Sequence, residues 1–207
     1  LKHKKISKKE LAELACKIEI DVIKSPIGKQ DQYAAAFGGL NKFIFSKNSV
    51  SIESLEKKID PKFIFQNLQL FFTGIYRSTN SILSSIHNSS ENKIYMDTII
   101  RNAKDAYIVL KINKKNKLNI IGDLFDKSWN IKKSLSKKIS NKKINKYYDK
   151  AINAGALGGK ISGAGGGGFL LFITPKNKRK NVLRSLNPLT CLPITYEPNG
   201  SRVIFRD

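Results

Sequence analysis

The sequence predicts an α+β fold with an antiparallel sheet and helices packed on one face. Three observations lead there. An apolar strand at residues 169–173 is followed by a lysine-rich helix and two more strand-like runs. Residues 40–45 and 50–55 read as strands joined by Ser46-Lys47-Asn48-Ser49, a hairpin pattern. Between these ends, apolar residues recur at helical spacing from about Ile99 to Ala154. Strands and helices that follow one another in blocks suit a layered α+β arrangement.

Taken in order, the chain starts a helix at Ser7, which can cap it, with Glu10 closing a capping box and Ile6 and Leu11 as a hydrophobic staple. Leu11, Leu14, Ala15, Ile18 and Val22 form its expected apolar face. Pro26 and Gly28 end it. A short helix then covers residues 30–37, with Asp31 at or near its start, and Gly38-Gly39 stops it. A third strand carries Leu68, Leu70 and Phe72 as its apolar positions. It ends in Thr73-Gly74, and Arg77 follows just past the strand end, a position from which side chains reach a site or simply meet solvent. Residues 78–90 read as a helix fraying into a polar loop. Helical runs follow around Ile99–Leu110, Leu118–Trp129 and Tyr147–Ala154. After the apolar strand and Pro175, a helix runs to Leu186. Strands at about 192–197 and 202–205, joined by Pro198-Asn199-Gly200, close the chain as a predicted hairpin.

The chain has 207 residues and a formal net charge of +22. Charge of this size raises nucleic acid as a partner. Here it is nearly all lysine, scattered over every predicted helix, in a sequence rich in Lys, Asn and Ile, as A- and T-rich coding DNA produces. Dispersed lysine lacks the planar guanidinium forks that read bases. A solvated surface is the reading favoured over a basic nucleic-acid-binding module. No apolar run of about 18 residues suggests a membrane span. Cys16 and Cys191, with no visible export signal, read as reduced thiols of a cytoplasmic protein. His3 and His87 lack ligand spacing, so no metal-binding residue is assigned. Leu1 in place of Met suggests a sequence already under way, lacking its true N-terminus.

Two stretches carry chemistry. The first is Gly28-Lys29-Gln30-Asp31-Gln32-Tyr33-Ala34-Ala35-Ala36-Phe37-Gly38-Gly39, a carboxylate between two amides where the lysines nearly stop. Asp31 is either a helix N-cap, held ionised by backbone amides, or a reactive carboxylate, and the two are compatible. The second runs from Gly155 to Gly168. It fails the Walker A pattern, because Ile161 follows Gly159-Lys160 and position 154 is Ala. Gly163, Gly165 and Gly168 match G-x-G-x-x-G, but an apolar strand follows where a Rossmann site needs a helix. What remains is a backbone free to approach another backbone or to cradle phosphate.

Together, the Gly28–Gly39 stretch and Lys160-Ile161-Ser162-Gly163-Ala164-Gly165-Gly166-Gly167-Gly168 resemble the galactokinase, homoserine kinase, mevalonate kinase and phosphomevalonate kinase (GHMP) superfamily. Within it, the likeness is to the D-glycero-D-manno-heptose 7-phosphate kinases, and Phe72-Thr73-Gly74-Ile75-Tyr76-Arg77-Ser78 shares it. The resemblance implies the end of a ribosomal-S5-like nucleotide-binding domain over residues 1–66 and a ferredoxin-like C-terminal domain over 67–207. It implies ATP and Mg²⁺, with transfer of the γ-phosphoryl group to the anomeric hydroxyl of a sugar phosphate. Another small alcohol or sugar is the alternative acceptor. Asp31 matches the family's catalytic aspartate. Gln30, Gln32 and Tyr33 beside it are assigned to the substrate, and Gly163, Ala164, Gly165 and Gly166 to the nucleotide. Arg77 is assigned to the sugar's existing phosphate from its charge and position. The family's main ATP-phosphate loop, first substrate motif and Mg²⁺-binding serine belong upstream of these residues, so the chain alone is expected not to turn over.

Overall fold

The computed structural model describes residues 6–76, 92–112 and 115–204. It divides into two compact units, Leu1–Pro61 with Thr195–Asp207, and Lys62–Ile194. The chain passes from the first unit to the second at 61/62, before the expected boundary at 66/67, and the C-terminal tail groups with the first unit.

In the first unit, the Ser7 hydroxyl accepts from the Glu10 amide (3.2 Å), and the Glu10 carboxylate accepts from the Ser7 amide (2.7 Å). This capping box opens helix α1, Lys8–Cys16, which continues as a π-helical turn, Lys17–Val22. The buried face is not the expected one. Ala12 and Cys16 point inward, whereas Leu14 is 36% exposed, Ile18 46% and Val22 68%. Small side chains one turn apart let α1 pack closely on the short helix α2, Gln30–Phe37, through Tyr33 and Ala36. Spacing identifies an apolar stripe but not which stripe has a neighbour, and the wider π turn rotates the later residues out of register.

Strands β1 (Asn41–Phe45) and β2 (Val50–Ser54) form the expected antiparallel hairpin, with Phe45 opposite Val50 and the Ser46 amide bonded to the Ser49 carbonyl. Phe43, Val50 and Ile52 pack on the α1–α2 core. The expected C-terminal hairpin is absent: residues 193–204 carry no strand. Instead the tail seals the end of α2. The Gly39 amide donates to the Glu197 carbonyl (2.8 Å) and the Ser201 amide to the Ala35 carbonyl (2.9 Å). Gly38 and Gly200 meet so closely that a Cβ on Gly38 would lie 2.0 Å from the Gly200 nitrogen.

The second unit is built on a four-stranded sheet in the order β4-β5-β3-β6, antiparallel throughout. Its strands are β3 (Leu68–Phe72), β4 (Gly158–Ile161), β5 (Phe169–Ile173) and β6 (Thr190–Leu192). Helix α3 is Pro61–Phe65, α4 Asn92–Lys111, α5 Lys117–Ser134, α6 Lys142–Asn153 and α7 Arg179–Ser185. The predicted helix over 78–90 lies outside the described residues. In β3 the buried positions are Gln69 and Phe71, not the expected Leu68, Leu70 and Phe72. Phe71 lies opposite Leu170, and Gln69 opposite Phe172. This face packs on Trp129, Tyr148 and Val182 from three helices, which gives the predicted helical layer. Gln69 is accommodated there because its amide donates to the Arg179 carbonyl (3.3 Å).

β4 was not anticipated, since Gly158-Gly159 reads as loop. It is a strand through its antiparallel pairing with β5, and helix α5 comes against it backbone to backbone. A Cβ on Gly158 would lie 2.0 Å from the Gly122 carbonyl oxygen, and one on Gly122 would lie 2.5 Å from the Leu157 Cβ. Gly158→Ala is therefore expected to cost about 1–3 kcal/mol through overpacking, measured as a lowered midpoint in urea unfolding. An unchanged midpoint would contradict this close approach.

Candidate functional site

Helix α2 holds the first set of predicted residues. Its N-cap is Lys29, with no side-chain cap bond, so Asp31 is the second helical residue and not the cap. The carboxylate is exposed, and no hydrogen bond or ion pair holds it among the described residues. It stands in the first turn, where backbone amides have no intrahelical acceptor and the helix dipole presents positive charge. Gln30 is likewise exposed.

The two following residues point inward. Gln32 is 7% exposed, and its amide donates to Glu19 on the π turn at 2.5 Å, while its Oε1 has no partner. Tyr33 is 2% exposed. Its ring stacks with Phe37 and meets Phe43 and Phe45 edge-on, with centroids 5.5–6.2 Å apart. Burial pushes its hydroxyl pKa up, helped by the nearby Glu13. Of the four residues assigned to this helix, Gln30 and Asp31 thus face outward while Gln32 and Tyr33 anchor the helix that carries them. Glu19 is the residue the sequence did not reveal. Nothing in a run of alternating charges and isoleucines marks it as the partner of an amide 13 residues away.

The second set lies in the other unit. Residues 162–168 form the loop between β4 and β5, held by backbone bonds at several points. The Gly166 amide donates to the Ile139 carbonyl (2.6 Å), and the Gly168 amide to the Ile75 carbonyl (2.9 Å). The Gly168 carbonyl accepts from both the Thr73 amide and the Thr73 hydroxyl. A Cβ on Gly167 would lie 2.5 Å from the Ile75 carbonyl oxygen. Of the predicted nucleotide residues, Gly166 therefore has its amide committed. The amides of Gly163, Ala164 and Gly165 have no acceptor among the described residues. These three border an open cleft of about 530 Å³, whose apolar wall includes Phe72, Tyr76 and Phe169. Arg77 lies outside the described residues, as do His3 and His87.

Two lysines stand beside the loop. The Lys132 ammonium, from α5, donates to the Gly163 carbonyl. Lys160, the third residue of β4, places its ammonium 5.4 Å from the centre of the Phe125 ring. Burial, with the like charge of Lys160 added, lowers the Lys132 pKa to about 8, and burial lowers that of Lys160. In a chain with this many lysines, neither could be singled out from sequence. Both cysteines are free thiols. No helix among the described residues is long and apolar enough to cross a membrane.

An antiparallel sheet under a layer of helices, with a glycine loop between two of its strands, agrees with what sequence comparison finds. Residues 109–188 match the family described as GHMP kinases C terminal. The chain carries a GHMP kinase C-terminal domain. It is 32% identical over 182 residues to the D-glycero-alpha-D-manno-heptose 7-phosphate kinase of Campylobacter jejuni, across 86% of this chain and 53% of that protein. It is 26% identical over 184 residues to a mevalonate kinase of Pyrococcus horikoshii, across 84% of this chain and 50% of that protein. Among solved structures, a D-glycero-D-manno-heptose 1-phosphate kinase from Bacteroides thetaiotaomicron superposes with a TM-score of 0.66 at 26% identity, over 95% of this chain and 55% of that one. The chain spans about half the length of the curated relatives it matches. The glycine loop and Lys132 fall inside the matched GHMP kinase C-terminal segment, whereas helix α2 precedes it.

The contrast within α2 is testable by unfolding. Tyr33→Ala should cost about 3–5 kcal/mol, as for loss of a buried aromatic ring. Asp31→Asn should cost at most about 1 kcal/mol, the scale of a first-turn charge interacting with the helix dipole. Comparable losses from the two substitutions would mean that Asp31 has a structural partner.

Proposed function

We propose that the polypeptide carrying this chain is an ATP-dependent phosphotransferase whose acceptor is a hydroxyl of a small sugar phosphate. One observation carries the reading: Asp31 presents an exposed carboxylate, without a partner among the described residues, from a helix whose next two side chains, Gln32 and Tyr33, are buried. A carboxylate without a structural partner is free to take a proton.

In the proposed reaction, the acceptor hydroxyl loses its proton to the Asp31 carboxylate. Its oxygen forms the new bond to the γ-phosphorus of ATP, the bond from that phosphorus to the bridging oxygen breaks, and ADP leaves with the electron pair. Such a transfer requires positioning and charge stabilisation more than covalent help, so one well-placed base suffices. The amides of Gly163, Ala164 and Gly165, without acceptors among the described residues, are suited to phosphoryl oxygens. The GHMP kinase resemblance implies Mg²⁺ as well. Among the described residues, no three His, Cys, Asp or Glu side chains cluster as a ligand set. The described residues do not build a metal site by themselves.

A heptose 7-phosphate, phosphorylated at its anomeric hydroxyl to a 1,7-bisphosphate, is the acceptor we favour, on the 32% identity to the Campylobacter jejuni enzyme. The structural neighbour from Bacteroides thetaiotaomicron is described as a heptose 1-phosphate kinase, so the position of the acceptor's phosphate is itself a variable to test. The likeness to mevalonate kinases supports a second reading, in which the acceptor is another small alcohol.

The test uses the polypeptide as encoded, assayed for ADP release with heptose 7-phosphate, heptose 1-phosphate and mevalonate. Activity is expected with the 7-phosphate. Asp31→Asn should lower kcat by about 10²–10⁴-fold, the usual contribution of a general base, while its unfolding midpoint stays near that of the wild type. A rate within about tenfold of wild type would remove Asp31 from the role of base.

A further inference from the structure

Lys132 does not border the cleft, yet it bonds to a residue that does. Its ammonium donates to the Gly163 carbonyl, and Gly163 and Ala164 both border the cleft while Lys132 does not. The contact has a directional consequence. The Gly163 carbonyl and the Ala164 amide belong to one planar trans peptide, so they point in opposite directions. A carbonyl held toward Lys132 turns the Ala164 N–H away from Lys132, which is not among the residues bordering the cleft. Gly163 and Gly165 have φ of +80° and +113°, and Ala164 between them is not left-handed. Positive and ordinary φ in turn can bring neighbouring amides to one side, as in an anion-binding nest. The space next to Gly163 is open, since an added Cβ there would meet nothing within 4 Å.

The surrounding charge agrees. Among the described residues no carboxylate pairs with Lys132 or Lys160. The charged group acting on Lys132 is Lys160, from the adjacent strand β4. Two partly desolvated ammonium groups without a counter-ion are costly unless an anion completes the site. An ammonium on the carbonyl also polarises the peptide and strengthens its N–H as a donor.

We propose that Lys132 is a positioning residue for a phosphoryl group bound at the glycine loop: by holding the Gly163 carbonyl it turns the Ala164 amide into the cleft. The inference rests on the phosphotransferase reading for its ligand class. A phosphoryl group fits because its several oxygens can accept from successive amides, and it has two sources, the nucleotide or the acceptor's own phosphate. Lys132 acts through the peptide and does not touch the ligand.

The test is calorimetric binding to the polypeptide as encoded, with ATP, adenosine and heptose 7-phosphate as probes. Lys132→Met, which retains the apolar stem, should weaken ATP by about tenfold, the scale of one charge-assisted hydrogen bond, and leave adenosine unchanged. If the loss falls on heptose 7-phosphate instead, the role stands and the phosphoryl group belongs to the acceptor. Lys132→Arg should restore binding. Wild-type affinity for the affected ligand should fall between pH 7 and 9, as Lys132 loses its proton near pH 8, and the Met variant should show no such fall. Should the Met variant not fold, the Arg variant and the wild-type pH profile decide. Unchanged affinity for both phosphorylated probes, an equal loss for adenosine, or an identical pH profile in the Met variant would overturn the proposal. None of these outcomes depends on Asp31, whose substitution tests the phosphotransferase reading separately.

Discussion

The approach of helix α5 to strand β4, Gly122 against Gly158, is the constraint on which the second unit depends. A helix and a strand in contact through their backbones leave no room for a Cβ on either side. That contact fixes β4 as an edge strand beside β5, and through β4 it fixes where the glycine loop begins. It also places Lys132, ten residues further along α5, against the first turn of that loop. Had the interface been filled by ordinary side chains, the helix would stand several ångströms further off and the lysine would not reach the carbonyl.

The loop is flexible in composition and constrained in position. Ile139 and Ile75 hold it from two other segments through carbonyls, and Thr73 holds it through both an amide and a hydroxyl. Helix α2 in the first unit follows the same logic with different means. Tyr33 is packed into the core and Gln32 bonds to Glu19, while Gln30 and Asp31 are left outside. In both places, bonds and packing to other segments hold the backbone while some polar groups stay unbonded among the described residues.

Features that depend on neighbours in sequence were legible. The capping box at Ser7 and Glu10, the helix over Gln30–Phe37, the Ser46–Ser49 hairpin loop and the strand Phe169–Ile173 are all local patterns, and the structure contains them. Features that depend on distant partners were not. The apolar stripe of α1 was assigned to Leu11, Leu14, Ala15, Ile18 and Val22; Leu11 does pack on the core, but Leu14, Ile18 and Val22 are exposed and the buried positions are Ala12 and Cys16. Pro198-Asn199-Gly200 carries a strong hairpin signal, but the flanking residues bond to the end of α2 rather than to each other. Asp31 could be picked out because a carboxylate between amides is rare in this lysine-rich chain. Gln32 and Tyr33 looked equally chemical, and only the structure shows that they are buried while Asp31 is exposed.

Of the chain's 14 glycines, eight lie between residues 155 and 168. Each of these eight either has a left-handed φ or would drive a Cβ to within 3.0 Å of another atom. Elsewhere the composition leans heavily to Lys, Asn and Ile, whose codons are rich in A and T, whereas every glycine codon begins with two G bases. A drift in base composition can recolour a solvated helix surface at little energetic cost, since one polar residue there serves about as well as another. It cannot rewrite a segment in which the backbone itself is the packing surface. The boundary between what mutation has freely rewritten and what sterics has held is thus visible within this one sequence.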